Sequence, residues 1–323
     1  MWKTIRTRTT PACVCAGFFV LCSLACAQET PSYPSEELRP LKAALDKETQ
    51  ALEILRRYDK AQRKLIEWDR DMVQWLLRIG DNAAAQTKAE ESDRRTRLLV
   101  EAYEIFLAAY PNNAKAHNYY GEVLYDFAGD PTKALQAWKL AEQLDPNLGI
   151  PANNMAIHYC HAGDYHSGFR YLDKALRLEP DNPDYNFNAA QIYLTNRPQA
   201  MAHYKWDEKR LFKEAMKRSK RATQASPDDY SLAEDYAVNF FASMHLPTVK
   251  VNWNEAADAW IRARLLARDP DKVFFTWLNE ARASIQGKNL KRAEQCLLKA
   301  LELRPDNDLC ARLLNDVRTG QSS

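Results

Sequence analysis

The sequence has few cysteines beyond its first 26 residues. Four of the seven fall within that stretch, and the others are Cys160, Cys296 and Cys310. An odd number excludes a fold held together by a framework of disulfides. Cys296 and Cys310 flank Pro305 on two helices expected to be antiparallel, which makes them the only candidate pair. The alternative is two separate buried thiols.

An excess of charge of either sign is also missing. The chain has 45 basic and 43 acidic residues, a formal net charge of +2. Without Lys3, Arg6 and Arg8, which we expect to be removed, the 45 basic residues become 42, one fewer than the 43 acidic ones. This balance disfavours a general attraction to nucleic acid or to anionic membranes. With 46% hydrophobic residues, the chain is predicted to be globular rather than disordered.

Catalytic and metal-binding patterns are absent as well. His158, Cys160, His161 and His166 fall within nine residues. His158 and His161 are three apart on a predicted helix while Cys160 points elsewhere, and His166 lies beyond the turn at Gly163. This spacing matches no zinc pattern, and Cys160 has no recognisable basic partner or glycine-rich anion cradle. We expect no metal, no cofactor and no enzymatic activity.

The first 27 residues have the pattern of an export signal. A basic start precedes an apolar run over 12–27, and Ala25-Cys26-Ala27 before Gln28 fits the small-x-small pattern of a cleavage site. The run is too short to predict a membrane span, so the mature chain is expected to have none. We therefore predict a signal peptide and an exported protein, in a bacterial periplasm or cell envelope.

Two alternatives to a cleaved signal stay open. One is an uncleaved N-terminal anchor. The other is a lipid on Cys26, although Ser23 stands where lipoprotein signals resemble one another in carrying an aliphatic residue. In each case residues 28–38, which are polar and contain proline, are predicted to be a linker.

The middle of the chain repeats one pattern of small and aromatic residues. Gly121, Leu124, Ala134, Trp138, Ala141 and Pro146 are matched in order by Ala156, Tyr159, Gly168, Leu172, Ala175 and Pro180. The later pairs lie 34 residues apart, which is the period of a helical-hairpin repeat. Small residues let two helices approach closely, large ones fill the space between hairpins, and the proline ends the second helix. Because no hairpin buries its apolar side alone, the hairpins are predicted to stack.

This pattern resembles the tetratricopeptide repeat (TPR) over about residues 98–305. The resemblance implies an all-α fold, a right-handed α-solenoid of TPR-type helical hairpins with an N-terminal helical cap. The expected solenoid spans 94–318, with repeats at 114–147, 149–182, 183–229, 230–271 and 273–306. The third and fourth repeats carry insertions. A last helix is expected to cover the end of the stack, followed by a tail at 319–323.

Residues 39–93 are predicted to form an N-terminal helical cap or arm. Residues 41–79 contain neither Gly nor Pro, and their apolar residues recur at steps of three, four or seven, which is typical of a long amphipathic helix. The polar segment 80–93 is predicted to interrupt it. Because Gln62 and Asp69 break the apolar seam, we favour a cap packed on the first repeat. The alternative is a coiled-coil arm through which the chain forms a homo-oligomer.

A basic segment follows the third repeat's first helix. Residues 205–221 carry eight basic and three acidic residues. Such a helix could hold an anionic polymer. We favour a solvated outer helix face, with Leu211 and Phe212 turned inward, and no nucleic-acid partner.

By the same resemblance, the first helix of each repeat lines an inner groove suited to an extended peptide or to the amphipathic helix of a protein partner. The candidate groove residues are Asn118, Glu122, Tyr125, Asn153, Ile157, His161, Phe187, Gln191, Glu234 and Phe241. Two insertions, 195–205 and 243–253, are predicted to be neighbouring loops that add Tyr204 and His245 to this surface. The alternative is that the aromatic rings of these loops pack back on their own hairpins.

Overall fold

Residues 36–320 are the part of the chain that a computed structural model describes, and they form helices joined by turns and short loops. Its α-helices are α1 (Arg39–Ala43), α2 (Glu48–Ile79), α3 (Asn82–Ala109), α4 (Ala114–Asp126), α5 (Pro131–Leu144), α6 (Gly149–His161), α7 (Tyr165–Leu178), α8 (Pro183–Thr195), α9 (Arg197–Tyr204), α10 (Glu208–Ala225), α11 (Tyr230–Asn239), α12 (Trp253–Leu266), α13 (Pro270–Gln286), α14 (Leu290–Leu303) and α15 (Asp308–Thr319). Glu36–Leu38 and Phe240–His245 are short 3-10 helices. Because this range contains no strand, the all-α prediction is confirmed.

Three predicted segments lie wholly or partly outside the described residues. These are the signal peptide 1–27, the linker up to residue 35, and the last three residues of the tail. Among residues 36–320, no helix has the length and apolar character needed to cross a bilayer.

Most helices begin at an Asp or Asn whose side chain caps the first turn. Asp130 accepts a hydrogen bond from the amide of Lys133 at 2.9 Å, and Asp164 accepts one from Ser167 at 3.1 Å. Equivalent caps start α3, α4, α8 and α10 to α15. Each cap satisfies a backbone amide that has no partner within its helix.

Residues 36–162 form one compact unit. In it α2 and α3 form a long hairpin, α4 and α5 form a second, and α6 packs on α4 and α5. Gly80 turns the chain between α2 and α3 with a φ of 83°, and Asp81 caps α3 immediately afterwards. The predicted interruption over 80–93 is therefore wrong, and so is the boundary after residue 93, because α3 is continuous. Its first turns are rich in Ala, Gln, Lys and Glu, which favour a helix without an apolar stripe.

The small residues of the repeat lie where helices approach closely, as the pattern predicted. A Cβ on Gly121 would be 2.5 Å from Nε1 of Trp138. That nitrogen donates instead to the carbonyl of Asn118 at 3.3 Å. Ala134 and Ala141 are fully buried on α5. Only a residue without a side chain fits where α4 crosses Trp138.

Residues 163–320 form the second compact unit. Here α7 packs on α8 and α9, α8 pairs with α10, α11 with α12, and α13 with α14, while α15 covers α14. The insertion predicted as a loop over 195–205 is largely helix α9, with a proline in its first turn. That prediction is wrong because proline supplies a preset helical φ at a helix start.

The cysteines in the described chain are buried thiols, and none of them forms a disulfide. Burial raises the pKa of the Cys296 thiol to about 12. Burial also raises the pKa of Cys310 above its usual value. The pairing of Cys296 with Cys310 is therefore not adopted.

Candidate partner-binding surfaces

Two residues predicted to line the groove, Asn118 and Glu122, are buried between helices of the first unit. Asn118 donates from Nδ2 to Oε1 of Glu122 at 2.8 Å. Asn154 of α6 donates to Oδ1 of Asn118 at 3.2 Å. Arg63 of α2 reaches Oε2 of Glu122 at 3.5 Å. These polar groups bind one another, so the prediction that Asn118 and Glu122 contact a partner is wrong.

The same network continues along α2 to a buried aspartate, Asp59. Asp59 accepts hydrogen bonds from Arg56 and Arg63 and from the hydroxyl of Tyr103, the last at 2.9 Å. Burial alone would lower the pKa of Arg63, but the carboxylates of Asp59 and Glu122 more than offset this and raise it. Burial raises the pKa of Glu122, against the opposing effect of Arg63. We call Asp59, Arg63, Tyr103, Asn118 and Glu122 the ionic network.

Tyr125 and His161 reach the surface and are joined. The Tyr125 hydroxyl lies 2.9 Å from Nδ1 of His161, and the Tyr125 ring packs against Trp138 with centroids 5.4 Å apart. Desolvation raises the pKa of Tyr125 to about 12. Desolvation by ring neighbours, followed by the charge of His158, lowers the pKa of His161. Both side chains are therefore neutral near pH 7 and present a hydrogen-bonding aromatic surface.

The other predicted groove residues of the first unit, Asn153 and Ile157, are buried. Neither can contact a partner without a rearrangement of α6. Within residues 36–320 no group of His, Cys, Asp and Glu is arranged to hold a metal ion.

In the second unit, two further predicted groove residues are buried. Gln191 donates to Oδ1 of Asp235 at 2.7 Å, and Asn239 donates to the other oxygen of that carboxylate at 2.8 Å. Ser219 also donates to Asp235, at 3.2 Å. Phe187 packs on Ala222 and Leu232. The prediction that Phe187 and Gln191 contact a partner is wrong, because these side chains of α8 are buried against α10 and α11. We call Gln191, Ser219, Asp235 and Asn239 the amide network.

The rings of the first insertion pack within the second unit, against α7 as well as against their own hairpin. The Tyr204 hydroxyl donates to Oδ1 of Asp173 at 3.0 Å. Its ring stacks on Trp206 at 4.3 Å and meets the edge of Tyr193 at 5.6 Å. Tyr204 therefore anchors α9 and does not project freely, and because its side chain is half-buried its role in contacting a partner stays a prediction.

The second insertion contacts the start of α10, close in sequence to the end of the first insertion. Thr248 donates from its backbone amide and its hydroxyl to Oε2 of Glu208, at 3.1 and 2.7 Å. Glu208 begins α10, shortly after Trp206. His245 is exposed beside Met244, and the side chain of Met244 is 56% exposed. Of the two residues predicted to project, only His245 does so.

The last two predicted groove residues, Glu234 and Phe241, are half-buried. The Phe241 ring lies 5.6 Å from Trp253, and the guanidinium of Arg282 lies over it at 5.2 Å. Part of Phe241 thus packs within the unit and part faces solvent.

An exposed apolar line on α2 includes two tryptophans, Trp68 and Trp75, that the sequence pattern did not single out. Leu65, Trp68, Trp75 and Ile79 are exposed by 39%, 51%, 50% and 57%, and Met72 between them is half-buried. Lys88 covers one side of Trp68, with its Nζ 4.9 Å from the ring. The sequence signal was available, since these residues follow one another at steps of three and four. We call the five residues the α2 stripe.

Comparison with known proteins identifies the type of fold. The family model described as "Tetratricopeptide repeat" matches residues 276–307. The chain is similar to the C-terminal part of a TPR repeat-containing protein from Cytophaga hutchinsonii, with 15% identity and a TM-score of 0.51, over 86% of this chain and 99% of that one. It is also similar to YrrB, described as a TPR protein with an unusual peptide-binding site, with 17% identity and a TM-score of 0.49 over 66% of this chain and 97% of that one. No curated protein matches the sequence. The prediction of TPR-type helical hairpins is confirmed.

Proposed function

We propose that this chain, a tetratricopeptide-repeat protein, is a scaffold that binds another protein and catalyses no reaction itself. The fold is consistent with protein–protein interaction in general. The proposal goes further and assigns the surface that the partner contacts. The observation that carries it is the α2 stripe.

The stripe has the spacing of a helix-binding face. Its residues are separated by three, four, three and four positions, so they form one line along α2. Soluble proteins rarely leave several large apolar side chains half-exposed in one line, and such patches mark interaction sites. Two tryptophans in the line add anchors of the kind that dominate binding energy at interfaces.

The stripe also points away from the rest of the first unit. Arg70 on α2 donates to the backbone carbonyls of Asp126 and Phe127, at 3.1 and 2.9 Å, so its side of the helix faces the following hairpin. Trp68 and Met72 lie two positions from Arg70, which is roughly 200° around a helix. The stripe therefore occupies the side where a preceding hairpin would stack in a repeat array.

Burying the α2 stripe against a partner would contribute substantially to the free energy of binding. An aromatic side chain buries about 150–250 Å², and roughly half of each tryptophan is already covered. At roughly 25 cal/mol per Å², burying the remainder of both contributes on the order of 5 kcal/mol before the cost of association. An amphipathic helix from a partner, laid along α2, suits this surface.

The test compares the α2 stripe with other exposed apolar residues. A Trp68→Gln/Trp75→Gln variant is matched by Leu265→Gln/Leu309→Gln, since both leucines are exposed on the second unit. A partner captured with the wild-type protein is purified and titrated against all three proteins. We expect the stripe variant to bind about tenfold more weakly or worse, and the control to stay within about twofold. Equal binding by the stripe variant, with an unchanged melting curve, would refute the proposal.

Self-association through α2 is the second candidate function. It is favoured by the same spacing, because alternating steps of three and four are those of a coiled-coil seam. Light scattering on the purified chain separates the two candidates. A doubled mass that Trp68→Gln/Trp75→Gln abolishes would favour the homo-oligomer, and a monomer at all concentrations would leave partner binding.

The first-helix residues that reach the surface are a secondary part of the proposal. Tyr125 and His161 in the first unit, and Tyr204, Glu234, Phe241 and His245 in the second, are the members of the predicted set that a partner could contact. These residues would add to the contacts that the partner makes with the α2 stripe. They would not form a separate groove.

The location is proposed from the sequence of the first 27 residues. Export to a periplasm or cell envelope would give a mature chain that begins at Gln28. Mass spectrometry of the protein purified from its source tests this. A mass that includes Met1, or a lipid on Cys26, would contradict cleavage after Ala27.

A further inference from the structure

The second unit carries an open groove between α10 and α12. A cleft of about 810 Å³ is lined by Lys213, Met216, Lys217, Lys220, Arg221, Tyr236 and Glu255, with Asp181 at its edge. A narrower cavity of about 280 Å³ shares Lys220, Gln224 and Tyr236 with it and continues to Arg262. Because the two cavities share these residues, they form one continuous surface, which we call the basic groove.

The arginines of this region are already engaged. Arg221 pairs with Asp181 at 2.6 Å, and Arg210 pairs with Glu214 at 2.8 Å. Arg218 donates to Oδ1 of Asn186 at 3.2 Å. These contacts are internal to the unit, so these guanidinium groups already have part of their hydrogen-bonding capacity satisfied.

The lysines of the groove are not engaged in this way. Lys213, Lys217 and Lys220 are exposed, and none of them makes an ion pair or hydrogen bond with the part of the chain that the structure describes. The facing carboxylates are occupied, because Asp181 binds Arg221 and Glu255 accepts from the Tyr236 hydroxyl at 3.1 Å. Three lysine charges therefore face one carboxylate, that of Glu255, that is not paired with a cation, and the groove is net positive.

The three lysines also have a regular spacing. They follow one another at steps of four and three on one face of α10, which spans roughly 10 Å at 1.5 Å per residue. An extended peptide advances about 3.3 Å per residue, so roughly three peptide residues cover the same length. Met216 and Tyr236 offer an apolar floor beside the charges, since both are half-buried.

We infer that the basic groove binds an acidic segment of a protein, with two or more carboxylates near the lysines and an apolar side chain against Met216 and Tyr236. Lysine ammonium groups on flexible stems suit carboxylates whose positions vary. A nucleic acid fits less well, because Met216 and Tyr236 give the groove an apolar floor that a phosphate backbone cannot use. This surface lies in the second unit, so it does not depend on the α2 stripe.

The experiment uses a fluorescent hexapeptide that alternates glutamate and leucine, titrated against the purified protein by anisotropy. The test variant is Lys213→Gln/Lys217→Gln/Lys220→Gln. Its matched control, Lys60→Gln/Lys115→Gln/Lys250→Gln, removes the same charge from exposed lysines outside the groove. We expect the test variant to lose about tenfold or more in affinity and the control to lose less than about twofold.

Two further probes decide the class of ligand. A peptide with lysine in place of glutamate should not bind, and a single-stranded oligonucleotide of equal charge should bind more weakly than the acidic peptide. The inference is overturned if wild-type protein shows no binding of the acidic peptide at millimolar concentration, if both triple variants lose affinity equally, or if the oligonucleotide binds more tightly. Because Trp68→Gln/Trp75→Gln leaves the basic groove intact, that variant should bind the peptide like wild type.

Discussion

The two units bury polar groups of different kinds between their packed helices. In the first unit, the ionic network joins Asp59, Arg63 and Glu122, which are all buried. In the second unit, the amide network gathers Gln191 and Asn239 around one carboxylate, Asp235. A buried charge that loses its partner costs far more than a buried amide. The first unit should therefore tolerate the loss of a single member less well than the second.

The largest expected effect is that of Arg63→Met. Removal of this guanidinium leaves Asp59 with Arg56 as its only cation and removes the cation hydrogen-bonded to Glu122, so we expect a loss of about 3–5 kcal/mol in the free energy of unfolding. Urea denaturation followed by circular dichroism measures it. The matched change in the amide network, Gln191→Leu, should cost about 1–3 kcal/mol. Equal losses would show that the two networks do not differ as proposed.

The same comparison has an internal control. Adding Asp59→Asn and Glu122→Gln to Arg63→Met removes the charges that the single variant leaves unpaired. The triple variant should recover part of the lost stability. If it is less stable than Arg63→Met, the ionic network contributes through shape rather than charge.

The next largest effect concerns the inserted helix of the second unit. Tyr204→Ala removes a ring that packs between Tyr193 and Trp206 and a hydrogen bond to Asp173, so we expect a loss of about 2–4 kcal/mol. His245→Ala, at an exposed site in the other insertion, should change stability by less than about 0.5 kcal/mol. Thermal melts of the two variants test both. Equal melting temperatures would mean that α9 does not depend on Tyr204.

A smaller effect is expected at the helix crossing of the first unit. A methyl group at residue 121 would overlap the Trp138 ring, so Gly121→Ala should cost about 1–3 kcal/mol. Lys139→Ala, on the exposed side of the same hairpin, is the control and should stay within about 0.5 kcal/mol. Trp138→Leu in the Gly121→Ala background should relieve the overlap. If the losses in stability from Gly121→Ala and Trp138→Leu simply add in the double variant, the close approach of the two helices lies elsewhere.

The smallest effect is a dependence on pH. Burial raises the pKa of Glu122 above its ordinary value of 4.5. A carboxyl with a raised folded-state pKa contributes stability that is fully present below its unfolded pKa and is lost as the pH rises through the folded value. The stability of wild type relative to Glu122→Gln should therefore fall as the pH is raised from about 4.5. The difference between wild type and Lys115→Ala, an exposed lysine of α4, should stay level over the same range, and a rising difference for Glu122→Gln would contradict the assignment.

The repeat was predictable because it depends on residue size. Ala141 and Ala175 were singled out as small residues at helix crossings, and both are fully buried. The position of the helix starts follows similarly from Asp and Asn side chains that cap them, as at Asp130 and Asp164. Both signals are local, so one sequence is enough to find them.

The surface was predicted less well, because polarity does not reveal whether a side chain faces solvent or another polar side chain. Asn118, Glu122 and Gln191 were assigned to a groove, and each is instead buried against partners far away in the sequence. Trp68 and Trp75 were overlooked because large apolar residues on an amphipathic helix are usually buried. Their exposure depends on the absence of a covering hairpin among the described residues, which no local pattern encodes.

The thiols of α14 and α15 have a consequence for how the end of the chain opens. Only a thiolate reacts quickly with an alkylating reagent, and burial holds the pKa of both Cys296 and Cys310 above their usual values. Neither thiol should therefore react while α15 lies against α14. Cys310 should become reactive when that contact opens, even if the remainder of the second unit stays folded, whereas Cys296 also faces Glu280 of α13. The rate of alkylation at Cys310 therefore measures how often α15 detaches from α14. The measurement needs no introduced label.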